Sequence, residues 1–260
     1  MRLSQSTINR IALQSIMYKE INRFMRIWVQ TLVPPVITIS LYFVIFGSLI
    51  GSRIGEMGGF DYMSFIVPGL IMMSVITNSY SNVASSFFGS KFQRNLEEML
   101  VAPVPNWVIV AGYVGGGMAR GMLVGLSVTI ISLFFVDLQI HNIWVIIATV
   151  CLTSAVFSLG GLINAIFANS FDDISIIPTF ILTPLTYLGG VFYSIKLLPE
   201  FWQGVSQVNP IVYMVNAFRY GFLGYTDVNL TVAFVVLISF ITVLFTLAMV
   251  LISKGVGLRS

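Results

Sequence analysis

The sequence predicts an all-α integral membrane fold: six transmembrane helices, an N-terminal amphipathic interfacial helix, and an outer re-entrant helical hairpin before the last span. Three observations predict it. Of 260 residues, 57% are hydrophobic and only 9% charged, against roughly 25% charged in soluble domains, and the mean hydropathy is +0.94. Windows free of Asp, Glu, Lys and Arg cover 27–52, 62–90, 174–195 and 228–253, and 138–171 holds only His141; a spanning helix needs about 20 apolar residues. The cations, finally, gather on one side of the alternation these windows impose. The chain, 1–260, reads as a single transmembrane domain with no internal repeat and no low-complexity segment.

Residues 1–29 open the chain. Met17, Ile21, Phe24, Met25 and Trp28 fall on one helical face, and Lys19, Glu20, Asn22, Arg23 and Arg26 on the other. That pattern predicts a helix lying along the membrane surface, basic side toward the headgroups. Pro34 and Pro35 are expected to turn the chain and open the first span, about 31–50, followed by a glycine-rich loop, 51–61. The second span is about 62–81. Beyond it, Phe88, Phe92, Leu96, Met99 and Leu100 form an apolar stripe with Lys91, Arg94, Glu97 and Glu98 between them, predicting a cytoplasmic amphipathic helix over 84–102. Arg94 is placed to pair with Glu97 and Glu98 at i+3 and i+4. Pro103 and Pro105 end the helix, since proline has no N–H to continue it.

The third span, about 108–136, is interrupted by Arg120 and carries Gly112, Gly116, Gly117, Gly121 and Gly125. Small residues four apart let helix backbones approach closely in lipid. A tight loop, 137–142, leads to the fourth span, 143–167, and a short turn, 168–173. Pro178, Pro184, Gly189 and Gly190 predict a kinked or broken fifth span over 174–193. Residues 194–227 are too polar to face lipid and predict a re-entrant or interfacial hairpin, because irregular backbone at membrane depth must be shielded by protein or water. The last span is about 230–253, and 254–260 is a basic tail. With the N-terminus inside, Arg2, Arg10, Lys19, Arg23, Arg26, Lys91, Arg94, Lys254 and Arg259 are cytoplasmic, against Arg53, Lys196 and Arg219 outside. Nine against three predicts cytoplasmic N- and C-termini. Trp28, Trp107, Trp144 and Trp202 all fall near span ends, as an aromatic belt requires.

The missing chemistry narrows the function. Cys151 is the single cysteine, so it forms no intrachain disulfide and no thiolate cluster; His141 is the single histidine, expected in an outer loop near Asp137. Neither a His-based metal site nor a multi-histidine relay can be built. The four lysines follow Tyr18, Ser90, Ile195 and Ser253, never a glycine, so no phosphate-binding Gly-Lys-Ser/Thr loop exists. An ion-gradient transporter commonly keeps carboxylates within its spans; here every Asp and Glu falls in a loop, terminus or hairpin. A membrane-embedded enzyme would lack the acid–base or nucleophilic pairs it needs. The pI near 9.1 follows from the positive-inside distribution rather than from nucleic-acid binding.

Long stretches of the chain resemble the ABC-2 type permease family: FMRIWVQTLVPPVIT (24–38), FIVPGLIMMSVITN (65–78), SSFFGSKFQRNLEEMLVAPVP (85–105), AGYVGGGMARG (111–121), FDDISIIPTFILTPLTYLGGVFY (171–193) and NPIVYMVNAFRYGFLG (209–224). The resemblance implies a bacterial inner-membrane permease that pairs with a second copy of itself and with two copies of a separate ATP-binding-cassette subunit. That partner would bind the ATP and magnesium, this chain would need no cofactor of its own, and cargo would move outward through the dimer interface. It also implies that the loop after the second span is the coupling helix that docks into the ATPase. Here that maps onto Phe88, Lys91, Phe92, Arg94, Asn95, Leu96, Glu97 and Glu98. Asp172 and Asp173, on the other cytoplasmic turn, could touch the same partner or cap the helix that follows. Arg23 and Arg26 could touch it as well, or serve membrane anchoring alone. Arg120 has two readings, a wall of the transport path or a cation snorkelling to the cytoplasmic headgroups. Pro178, Pro184, Tyr187, Gly189, Gly190 and Tyr193 are expected to shape the outer half of the path or, for the glycines, simply to pack.

Overall fold

The computed structural model describes residues 4–257; Arg2 and Arg259, counted above as cytoplasmic cations, lie outside the described residues. Helix α1 (Gln5–Arg26) starts at Ser4, whose hydroxyl oxygen accepts from the Thr7 N–H. The chain turns at Ile27 (φ −110°, ψ 37°) and enters α2 (Trp28–Tyr42). The turn therefore comes before Pro34 and Pro35, which sit inside α2 rather than opening it. Each proline removes one helical N–H and so frees a carbonyl four residues back, those of Gln30 and Thr31. The helix continues in a wide π-helical form over Phe43–Gly51 and a last turn, α3 (Ser52–Ile54). Within the glycine-rich loop the structure adds a small β-hairpin, β1 (Glu56–Met57) and β2 (Phe60–Asp61), joined by Gly58 and Gly59 at φ +62° and +82°.

Helix α4 (Tyr62–Phe92) is the hub: 83% of its apolar window is buried, against 17% for α2 and 22% for the last helix. Its 31 residues span about 46 Å at 1.5 Å per residue, well beyond the roughly 30 Å hydrocarbon layer. It runs 11 residues past the expected end of the second span and takes in the first half of the segment read as a separate amphipathic helix. After a break at Gln93–Arg94 the rest forms α5 (Asn95–Val101). The stripe of Phe88, Leu96, Met99 and Leu100 is thus divided between two helices that fold together. Pro105 precedes α6 (Asn106–Ser132), and Asn142 caps α7 (Ile143–Phe167) by accepting from the Trp144 and Val145 N–H groups.

The expected fifth span is three five-residue pieces: α8 (Asp173–Ile177), a π turn over Pro178–Leu182, and α9 (Thr183–Tyr187). The chain then loops through Gly190 (φ +71°) to α10 (Glu200–Val208) and α11 (Pro210–Leu223), and ends in α12 (Leu230–Lys254), capped by Asn229 and by Gly255 in the left-handed region. Five helical segments among the described residues are long and apolar enough to cross a membrane: Trp28–Gly47, α4, α6, α7 and α12.

Two apolar clusters divide the bundle along its length. One joins Ile39, Phe43, the N-terminal half of α4, Val124, Val128 and the buried face of α11. The other joins Ile16, the C-terminal part of α4, Leu96, the start of α6, the end of α7 and Leu251–Ile252. The bundle therefore has one end at the β1–β2 hairpin and another, the knuckle end, at the reversal between α4 and α5. The Gln5 amide donates to the Pro103 carbonyl, and Gly257 lies against Ile166. Both termini of the described chain are at the knuckle end.

Candidate functional site

At the knuckle end, Arg94 adopts φ 62°, the one positive-φ non-glycine among the described residues. It stops α4 and reverses the chain so that Leu96 packs under α6. The reversal removes the expected ion pair: Arg94 lies outside α5, and the ion pairs among the described residues are Arg23–Glu20 and Lys196–Asp227. The Tyr113 hydroxyl donates to Ser90 at 2.9 Å and touches Met99 sulfur at 3.8 Å, tying α5 to α4 and α6. Phe92, Arg94, Asn95, Glu97, Glu98 and Val101 are left exposed, while Phe88 and Leu96 are buried.

The second turn is built onto the first. Phe171 packs edge-on to Phe88 (4.9 Å between ring centroids) and Phe92 (5.5 Å). Lys91 donates to the carbonyls of Ile166 (2.8 Å) and Ala168 (2.7 Å), capping the end of α7. Asp173 accepts from the N–H groups of Asn169 and Ser170, and its own N–H donates to the Ser170 hydroxyl. It folds the turn rather than capping α8, and the Asp172 side chain makes no cap bond. The Asn169 N–H, then the Ser170 hydroxyl and N–H, and the nearby Lys91 charge hold the Asp173 carboxyl below its ordinary range. The knuckle and the 168–173 turn form one surface, joined through Phe88, Phe92 and Phe171, with Arg94, Glu97, Glu98 and Asp172 exposed on it.

Helix α1 departs from the amphipathic reading. Its buried stripe is Ile16, Glu20 and Phe24, so Glu20, expected on the polar side, is fully enclosed. The reason lies in α6: Gly112 faces Ile16, and Gly116 sits against the Glu20 stem with no room for a Cβ. The Ser86 hydroxyl donates to Glu20 at 2.6 Å, and Arg23 bonds Glu20 (3.4 Å) and the Asn82 carbonyl and side-chain oxygens (2.9 and 2.8 Å). Arg23 turns inward, whereas Arg26 is exposed. On the other side of α6, Gly117, Gly121 and Gly125 admit Val83 and Ser158, Ser79 and Ser154, and Val75 respectively. The glycine spacing thus serves two contact faces.

Arg120 points into a cleft of about 360 Å³ between α2, α4 and α6, where its guanidinium donates to the Asn78 side-chain oxygen at 3.3 Å. Toward the hairpin end, rings join the end of α2 and the start of its π-helical continuation to the end of α9 and the loop after it. Tyr42 and Tyr187 share a 3.4 Å hydroxyl contact, and Phe192 packs on Tyr42, Phe46 and Tyr187. Pro178 opens the π turn, where the Thr183 hydroxyl donates to its carbonyl, and Pro184 opens α9. Gly189 meets Ile211, and Tyr193 is half-buried. Arg219, counted as an outer cation, is completely enclosed: Nε donates to the Phe65 carbonyl, a terminal nitrogen donates to the Gly190 carbonyl at 2.7 Å, and the guanidinium lies 3.8 Å over the Phe65 ring. Asp227 gathers Ser194, Ile195 and Tyr225. His141 is structural, its N–H bonded to the Gly221 carbonyl and its ring edge-on to Tyr220.

Apolar helices of spanning length packed around the buried hub α4 define a polytopic membrane domain. Residues 11–223 match the ABC-2 type transporter family, and the chain belongs to that family. It is similar to the inner membrane transport permease YadH of Escherichia coli K12, 68% identical over 251 residues, covering 96% of this chain and 98% of that protein. More distant likeness extends to Nodulation protein J of Neorhizobium galegae, 21% identical with 82% of both chains covered, and of Rhizobium leguminosarum bv. viciae, 23% identical with 82% and 83% covered.

Proposed function

We propose that this chain is the membrane-spanning permease subunit of an ATP-binding-cassette exporter, acting as a homodimer with two copies of a separate ATPase. Family membership supports the class. The observation that carries the coupling mechanism is the knuckle: an α4 too long for the hydrocarbon layer ends in an exposed Phe92, Glu97 and Glu98 surface stitched to Phe171. In this reading Phe92, Arg94, Asn95, Glu97, Glu98 and Asp172 contact the ATPase, while Arg26, at the end of α1 away from the knuckle, serves membrane anchoring. Phe88, Lys91, Leu96 and Asp173 hold that surface in shape. Arg23 transmits movement of α1 to α4 through Asn82.

The knuckle end is then cytoplasmic, with both termini, in the inner membrane where YadH is named as residing. The broken α8–α9 rod makes the fifth of six crossings with the loop through Gly190, and 194–227 re-enters from outside as α10 and α11. The path runs between two copies. Arg120 lies at its inner part, and Tyr187, Tyr193 and the Pro178, Pro184, Gly189 and Gly190 irregularities at its outer part. ATP and magnesium belong to the partner, and this chain holds no cofactor. Purification of the tagged chain is expected to bring down a Walker-motif ATPase. Glu98→Lys is expected to cut cargo-stimulated ATP hydrolysis at least tenfold while membrane insertion is unchanged; full coupling in Glu98→Lys and in Glu97→Lys contradicts the assignment.

A further inference from the structure

We infer that the cleft beside Arg120 is a binding site for an anionic headgroup, a phosphate or carboxylate carried on an amphiphile that enters between α2 and α4. The inference rests on the transport reading only for calling this amphiphile cargo. Three observations on the cleft point to an anion.

The first is an unmatched charge. A guanidinium carries five N–H groups, yet among the described residues Arg120 makes one hydrogen bond, to Asn78, and its buried Nε has no partner. No Asp or Glu lines the cleft. The buried carboxylate of Glu20 is already held by Ser86 and Arg23, and the neighbouring charge that acts on Arg120 is a second cation, Arg23. A largely buried cation without a counter-charge is costly, and an anionic ligand would offset that cost.

The second is the set of uncommitted donors. Gln30 and Thr38 on α2 and Ser81 on α4 line the cleft and make no side-chain hydrogen bond within the described chain. Thr77, by contrast, donates to the Met73 carbonyl, and the Asn78 amide nitrogen to the Ser74 carbonyl, which fixes the Asn78 oxygen toward Arg120. A phosphate placed at Arg120 would find a bidentate guanidinium and two or three neutral donors.

The third is access. Gln30, Thr38 and Thr77 are exposed, so the cleft opens on the surface of the bundle. Its 360 Å³ corresponds to about a dozen water molecules, room for a headgroup and the first atoms of a chain. Pro34 and Pro35 form its wall.

The test uses the full chain in nanodiscs of zwitterionic lipid, with dodecyl phosphate and dodecylphosphocholine as probes and native mass spectrometry as readout. The phosphate amphiphile is expected to bind at least tenfold tighter. Arg120→Gln is expected to lose that preference and Arg120→Lys to keep it within about threefold. Thr38→Asp is expected to abolish it by placing a carboxylate in the cleft, and the uncharged Thr38→Asn to keep it. Inorganic phosphate at millimolar concentration separates the sources: displacement of the probe assigns recognition to the anion alone, and no displacement assigns it to the anionic amphiphile. Equal binding of the two probes, or an undiminished preference in both Arg120→Gln and Thr38→Asp, overturns the inference. A charge preference in the wild type without any co-purifying ATPase would instead leave the site standing and defeat the transport reading.

Discussion

Arg94 and Glu20 are single residues that each govern a contact between helices. Left-handed backbone costs a side chain with a Cβ roughly 1–2 kcal/mol, so Arg94→Gly is expected to raise the thermal midpoint slightly, and Arg94→Val to lower it, in a detergent melting experiment. If Arg94 also contacts the ATPase, the glycine variant gains stability and loses coupling, a divergence that a purely structural role would not produce. Glu20→Ala leaves Ser86 and Arg23 without their shared acceptor, and on the order of 2–3 kcal/mol of the packing of α1 is expected to be lost. Glu20→Gln, which keeps one acceptor oxygen, should cost less. Neither role was legible in the sequence. The turn at Arg94 carries no glycine or proline to announce it, and Glu20 sits among Lys19, Asn22 and Arg23 as a surface carboxylate would. Burial of Glu20 follows from Gly116 and Ser86, ninety-six and sixty-six residues away, and no periodicity reports such distances.

At the scale of elements, uncharged length and small-residue spacing were the readable signals. Helices α7 and α12 begin and end where their apolar windows and their Asn142 and Asn229 caps place them. The glycines of α6 are a case where pattern and structure agree in kind and differ in extent, since one four-residue spacing feeds two interfaces. Gly116→Val is therefore expected to dislodge α1 alone, and Gly121→Val to separate α6 from α4 and α7. The first should retain the folded bundle with faster proteolysis before Ile27, and the second should lower expression in the membrane. The prolines misled more. Pro34 and Pro35 read as a helix start, yet they sit inside α2, and the real break at Ile27 has no breaker residue. Pro178 and Pro184 did mark an irregularity, a π-helical stretch over Pro178–Leu182 between two short α-helical pieces. The second amphipathic segment was recognised by its stripe but not by its geometry, because a stripe of Phe88, Leu96 and Met99 fits one straight helix or two folded against each other equally well.

For the whole molecule, the two apolar clusters separate a hairpin end, braced by Arg219 and Asp227, from a knuckle end where both ends of the described chain, two turns and the end of α12 converge. Class and family were legible because both rest on long contiguous stretches. The distribution of polar interiors was not: Arg219 counted as an outer cation and is the most enclosed cation among the described residues, since its carbonyl partners on Phe65 and Gly190 come from distant segments. Force transfer from an ATPase requires that the knuckle face the cytoplasm. The most direct measurement places a single cysteine at Gln93 in a Cys151→Ala background and probes it with a membrane-impermeant maleimide. Protection in intact cells and rapid labelling in inverted vesicles is the predicted result. Labelling from the outer side of intact cells would contradict it.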